Sequence, residues 1–147
     1  MTPKEIVKTL IYYLSDDNAE INEHEASGRI MIDVKVSNAK DLIGEKGSTL
    51  FMLEHIARRM VSKNISPECI IDLDINNYKK MRENVMREFA LEVADRVRMQ
   101  RKAMELEPMP SMDRRVIHLT LSDFQDLTTE SFGEESERYI VVRPTFI

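Results

Sequence analysis

Two stretches of the sequence carry residue types that can hold an anion. Residues 41–50 read D-L-I-G-E-K-G-S-T-L and contain Gly44 and Gly47, two of only four glycines in the chain. Glycine takes positive φ at little steric cost and lets other groups approach its backbone, so the pair predicts a tight crossing, Gly44-Glu45-Lys46-Gly47, between two helices. The N–H groups of such a loop, and of the first turn of the next helix, are expected to point outward with the positive end of the helix dipole behind them. Phosphate oxygens suit that setting. Ile43 supplies an apolar floor beside the loop and Lys46 a cation. The second stretch, residues 111–119, reads S-M-D-R-R-V-I-H-L. Arg114 and His118 are four apart and share one helix face, where a guanidinium and an imidazole form a compact pair of donors for phosphate. The imidazole can gain charge beside a polyanion. Arg115 and the cluster Arg98, Arg101 and Lys102 are candidate accessory contacts.

The elements that must position these residues follow from capping and periodicity. Thr2 as cap, Pro3 at the first helical position and Glu5 at the third predict a helix to Leu14, with Ile6, Val7, Leu10, Ile11 and Leu14 on its inner side. Residues 20–24 and 29–36 predict a hairpin turning at Ala26, Ser27 and Gly28, because Ile30, Ile32, Val34 and Val36 alternate with polar positions. Asn38 and Ser48 are expected to cap the helices on either side of the glycine crossing, the second running to about Lys63. A strand is expected over Cys69–Ile75 and one long helix over residues 77–101, with Tyr78, Met81, Val85, Phe89, Val93 and Val97 as its buried stripe. Met52, Met60, Met81 and Met86 are read as core methionines. Beyond a short strand at 104–107, Ser111 is expected to cap a helix to about Leu121, and strands near 127–132 and 138–143 close the chain. With neither proline nor glycine between the strand at 69–75 and the long helix, the two halves are expected to be held rigidly.

Composition narrows the function classes. A chain of 147 residues, 42% hydrophobic and 32% charged, is ordinary for a globular protein of one or two small domains. The lone cysteine, Cys69, heads an apolar run and reads as a buried hydrophobe, which sets redox chemistry aside. Apolar runs are too short to cross a bilayer and the N-terminus lacks a signal pattern, so a cytoplasmic location is expected. The net charge of −5 weighs against a polyanion partner, but its distribution does not. Between Lys35 and Lys63 there are six basic residues against three acidic ones, a local excess of three, and residues 96–102 hold four basic residues and no acid. The acids gather elsewhere, in residues 16–25 and 123–137. Separate basic and acidic faces can steer a polyanion to one side.

The I-G-E-K-G loop in the order helix, strand, strand, helix, loop, helix, strand resembles the type II KH domain, whose G-x-x-G loop grips the backbone of unpaired nucleotides. The block P-M-P-S-M-D-R-R-V-I-H, followed by an acidic turn and R-Y-I-V-V-R-P, resembles the RxxxH single-strand-binding domain. The two in this order resemble the C-terminal portion of the bacterial Jag family, also called KhpB, over about Glu5 to Pro144. The resemblance implies cytoplasmic RNA binding, association with a second small KH protein, and post-transcriptional control linked to envelope growth and division. The sequence departs from the family's pattern in lacking the separate N-terminal domain and linker of many members, and in having Glu45 where the loop usually carries a basic residue.

The fold expected is α+β: a type II KH domain over residues 1–76, a three-stranded sheet with helices on one face, packed against a small α+β RxxxH domain over 77–147. The function expected is non-catalytic binding of single-stranded RNA, or of single-stranded DNA, by Ile43, Gly44, Glu45, Lys46 and Gly47 and by Arg114, Arg115 and His118. No metal, cofactor or membrane insertion is expected. Two other classes remain open: a protein-interaction module on a KH fold that has lost nucleic-acid binding, and a metal-dependent nuclease using Asp72 and Asp74.

Overall fold

Thr2 starts the first helix as its sequence chemistry requires. In a computed structural model describing residues 1–15 and 18–145, α1 spans Pro3–Leu14, the Thr2 hydroxyl accepts from Glu5 N–H, and the Glu5 carboxylate accepts from Thr2 N–H. Asp16 and Asp17, which open the first acidic run, and Phe146 and Ile147 lie outside the described residues. The chain forms two compact units, Met1–Lys79 and Lys80–Ile147.

In the first unit, β1 (Glu20–Ala26) and β2 (Arg29–Lys35) form an antiparallel hairpin. Its turn is two residues long, Ser27 and Gly28 having φ of 55° and 75°, the handedness that matches strand twist. The chain then passes through α2 (Lys40–Ile43), a single 3-10 turn at Glu45–Gly47 and α3 (Ser48–Asn64) before returning as β3 (Ile71–Ile75). β3 lies parallel to β2, with Ile30 opposite Ile71 and Val34 opposite Ile75, and the strand order is β1-β2-β3. A parallel neighbour demands a crossover of this length. The helices fill it and bury Ile6, Ile11, Leu50, Leu53 and Val61 with the inward residues Ile32, Val34, Ile71 and Leu73.

An outer parallel strand leaves backbone groups without a ladder partner. Here α3 supplies the partners. The Glu54 carboxylate, only 7% exposed, accepts Leu73 N–H at 2.9 Å, and Arg58 Nε donates to the Ile71 carbonyl at 2.8 Å. The Lys79 ammonium closes on the same Glu54 carboxylate. Arg58 and Arg29 both reach Asp72, at 2.6 and 2.7 Å. Burial pushes the Asp72 carboxyl up, but the two guanidinium groups outweigh it and hold it below the ordinary carboxylate range. Asp74 accepts the Ile75 and Lys79 N–H groups and so caps the start of the next helix. The two carboxylates that could have suggested a nuclease thus have structural occupations.

In the second unit, α4 (Tyr78–Gln100, shared with the first unit at its start) and α5 (Ser111–Leu121) cover an antiparallel sheet of β4 (Met104–Glu105), β5 (Leu127–Phe132) and β6 (Tyr139–Pro144), with β6 in the middle. Its core is Ala90, Val93, Ala94, Val97, Ile117, Leu121, Ile140 and Val142. Asp113, fully buried in the first turn of α5, is held by Arg82 Nη2 at 3.0 Å.

Several expectations fail. Met81 and Val85 are 63% and 53% exposed, and the buried line of α4 is Met86, Ala90, Val93, Ala94 and Val97. Successive steps of four residues drift around a helix by about 40° each, so a stripe read in fours leaves the core face. Met52 is also exposed, as is Leu14, where α1 ends and the chain leaves the core. The helix caps are Ala39, Gly47 and Pro110 rather than Asn38, Ser48 and Ser111, and none makes a side-chain cap bond. β3 begins at Ile71, not Cys69, because Cys69 N–H turns back to the Ser66 carbonyl.

Replacing Glu54 with Ala should lower unfolding stability by roughly 2–4 kcal/mol, since it strands a lysine and an edge amide together. Urea denaturation of the purified chain measures this.

Candidate nucleic-acid interface

The glycine crossing is set by internal packing. Gly44 has φ of 74°, and a Cβ there would run into the Thr49 hydroxyl. Gly47 has φ of 81°, and a Cβ there would meet the Tyr78 ring at 2.7 Å and the Phe51 ring at 3.1 Å. Both glycines are therefore demanded by neighbouring side chains. Lys46 between them adopts φ 54°, ψ 25°, the left-handed region. Glu45, Lys46 and Ser48 are exposed, Gly47 is buried, and Ile43 packs partly into the core.

The amides of this loop are not the bare row that the sequence suggested. Gly44 N–H donates to the Lys40 carbonyl at 2.9 Å, Gly47 N–H to the Gly44 carbonyl at 3.2 Å, and Ser48 N–H to the Glu45 carbonyl. A 3-10 turn uses its own carbonyls where the wider crossing expected from sequence would have left donors outward. What the loop presents is its apex, with the side chains of Glu45 and Lys46. Further along α3, toward its C-terminal end, the basic residues His55, Arg58, Arg59 and Lys63 line a concave surface of about 820 Å³. Arg58 is committed to Asp72, whereas His55, Arg59 and Lys63 are exposed.

The Arg-x-x-x-His helix has a more informative environment. Arg114 donates to the Met109 carbonyl through Nη1 at 2.5 Å, and Met109 N–H in turn donates to the Arg138 carbonyl at 3.1 Å. Arg138 Nη1 donates to the Gly133 carbonyl at 2.7 Å. Both ring nitrogens of His118 are hydrogen-bonded to hydroxyls of β5, Nδ1 to Thr129 at 2.6 Å and Nε2 to Ser131 at 2.8 Å. Burial, then the charges of Arg114 and Arg138, push the imidazole below its ordinary pKa of 6.5. Burial and the charge of Arg138 likewise lower Arg114. In the unliganded chain the imidazolium is thus disfavoured, and the charge expected of His118 beside a polyanion would have to be induced by the anion itself. Two guanidinium groups and an imidazole converge, their hydrogen bonds run to carbonyls and hydroxyls, and an anion would relieve the repulsion among them.

The other expected contacts separate. Arg115, the next residue along α5, is exposed. Arg98 is engaged by Asp126 at 2.7 Å and Asp95 at 3.5 Å, and its guanidinium lies 4.6 Å from the Phe124 ring centre, so its charge is offset within the protein. Arg101 ends α4 in a left-handed conformation and Lys102 follows, exposed. Arg138 was missed as a site residue. It lies beyond the acidic turn, and only its place in the R-Y-I-V-V-R-P block could have drawn attention to it.

A folded pKa below the unfolded one means that the unfolded chain takes up the proton first. The stability contributed by neutral His118 is complete above about pH 6.5 and is lost as pH falls below it. Melting temperature should therefore fall between about pH 7.5 and about pH 5.5, and less steeply in His118→Asn, as followed by circular dichroism. Gly47→Ala should cost about 1–3 kcal/mol in urea denaturation, from the positive φ and the Tyr78 contact together.

The RxxxH (Arg-three-His) domain family matches residues 84–144. A protein of Clostridium symbiosum named RNA-binding protein KhpB is 31% identical over 127 residues, covering 86% of this chain and 56% of the relative. One of the same name from Bacillus subtilis is 29% identical over 126 residues, covering 84% and 61%, and one from Streptococcus pneumoniae is 26% identical over 113 residues, covering 77% and 34%. The chain thus spans little more than half the length of the first two relatives. Their names are those of RNA-binding proteins, not of enzymes. No helix among the described residues is long and apolar enough to cross a membrane. Over most of its own length the chain is similar to these relatives named KhpB, and it carries an RxxxH domain that contains Arg114, His118 and Arg138.

Proposed function

We propose that this chain binds single-stranded RNA without catalysing a reaction on it, and that Arg114, Arg138 and His118 hold a backbone phosphate. The observation that carries the reading is the convergence of these three groups with, among the described residues, carbonyls and hydroxyls as their hydrogen-bond partners, inside the RxxxH segment of a chain whose relatives are named RNA-binding proteins. A phosphate there favours the imidazolium, and the hydroxyls of Thr129 and Ser131 can rotate to accept from both ring nitrogens. Single-stranded DNA offers the same phosphates.

For the first unit we propose a type II KH domain. Support comes from the order α1-β1-β2-α2-α3-β3, with helices covering one face of a sheet in which β2 and β3 run parallel. In this reading Ile43, Gly44, Glu45, Lys46 and Gly47 form the backbone clamp, but through the Lys46 ammonium and the loop apex, with Arg59 and Lys63 drawing the strand toward α3. By family resemblance the reading extends to a second small KH protein as partner and to post-transcriptional control of envelope growth and division in the cytoplasm.

The internally bonded loop amides and the carboxylate of Glu45 favour a second reading for this unit alone, a protein-interaction module that has lost its grip on nucleic acid. Fluorescence anisotropy of labelled single-stranded RNA across a salt series separates the two. Arg114→Ala with Arg138→Ala should weaken binding and reduce the steepness of its log–log salt dependence by about 0.7 for each phosphate no longer held. An unaltered slope removes the cluster from the interface. Replacing both Glu45 and Lys46 with Asp should also weaken binding if the loop is a clamp; retained affinity assigns the unit to protein partners. Circular dichroism of each variant guards against misfolding.

A further inference from the structure

The second sheet has one side turned away from the helices. On β5, Leu127 lies in the core and Thr129 and Ser131 bond to His118, so Thr128, Glu130 and Phe132 project from the opposite face. On β6, Ile140 and Val142 are core residues, and Tyr139, Val141 and Arg143 share that opposite face. The register sets Phe132 across from Tyr139 and Glu130 across from Val141. The two rings are half-buried, with centres 6.0 Å apart and planes tilted by 34°. The Arg143 guanidinium lies 5.6 Å from the centre of the Phe132 ring and is tied to Glu130 at 2.9 Å. Val141, 5% exposed and outside the core cluster, forms the floor between them.

We propose that Phe132, Tyr139 and Arg143 form a stacking surface for an unpaired nucleobase of the strand whose phosphate is held at Arg114 and Arg138. This rests on the RNA-binding reading and adds to it a base-contacting site. The chain has nine aromatic residues, four Tyr and five Phe, and here two stand side by side on the sheet face opposite α4 and α5. Partly open rings on a sheet accept the π-face of any base, and a guanidinium beside one of them adds a further stacking plane. Glu130 offsets the charge of Arg143, which makes the face suited to a neutral base rather than to a second phosphate. Continuity with the cationic cluster is close along the chain: Phe132 lies between Ser131, which bonds His118, and Gly133, whose carbonyl accepts from Arg138. Base and phosphate of one strand therefore meet the protein around the same strand end.

Phe132→Leu and Tyr139→Leu test this in the whole chain, by anisotropy with a short labelled single-stranded RNA and with an abasic strand of equal length. Removal of a stacked base corresponds to a rise in Kd of roughly fivefold or more. That rise is expected for RNA with each variant, with the salt slope unchanged and with abasic-strand binding equal in wild type and variants. Undiminished RNA affinity in variants of a wild-type chain that does bind RNA overturns the stacking surface and leaves the RNA reading intact. An equal weakening with the abasic strand also overturns it. Failure of the wild type to bind any single strand, with capture of a proline-rich or aromatic peptide instead, overturns both. If either leucine variant misfolds, photocrosslinking of wild type to bromouridine-substituted RNA decides: adducts at Phe132 or Tyr139 support the surface, and adducts confined to other residues overturn it.

Discussion

Where a cation finds its acceptor decides what it can do for the molecule. Most arginines given partners in this chain are neutralised by carboxylates: Arg29 and Arg58 by Asp72, Arg82 by Asp113, Arg87 by Glu83, Arg98 by Asp126, Arg143 by Glu130. Arg114 and Arg138 are positioned instead by main-chain carbonyls, of Met109 and Gly133. A carbonyl fixes the direction of a guanidinium without cancelling its charge. The residual positive potential falls on His118, whose pKa is pushed down by burial and then by these two charges. Folding therefore holds like charges together, a repulsion that a bound anion can relieve.

The glycine loop illustrates the opposite outcome. Positive φ at Gly44 and Gly47 looks, in sequence, like room for a ligand, yet the space is taken by Thr49, Tyr78 and Phe51, and the Gly44, Gly47 and Ser48 amides already have main-chain acceptors. A tight interhelical turn of this kind satisfies part of its own donor set, which shifts weight to the side chains at its apex. In this chain that means Lys46 opposed by Glu45, a weaker electrostatic hold than a basic pair would provide.

Legibility in the sequence followed the range of the interaction. The Thr2, Pro3 and Glu5 signals gave α1 with its capping box, and the alternation in 30–36 gave β2, because both depend on residues within a few positions of each other. The pairing of Arg114 with His118 was legible for the same reason, through helical spacing. Arg138 was not, because it reaches the cluster only through the β5–β6 turn and a hydrogen bond between Met109 and its own carbonyl. Nor was the depressed imidazole, which requires knowing that β5 lies over α5. The misplaced stripe on α4 also reflects small residues: Ala90 and Ala94 carry little hydrophobic signal but are fully buried in the core.

Net charge was the poorest guide of all, and the reason is geometric. A total of −5 describes the far field, which is screened within about 10 Å at ordinary salt. A strand at the surface is held by the charges within that distance, and these depend on how acids and bases are partnered. Acids such as Asp126 and Glu130 in the 123–137 run already hold Arg98 and Arg143, so part of the run's charge is offset internally. The turn between β5 and β6 still carries Glu134, Glu135 and Glu137 close to Arg138 in sequence. On the proposed reading, such acids would repel a backbone that drifts along the turn and so favour a path from Arg114 and Arg138 toward the β5 edge, where Phe132 stands.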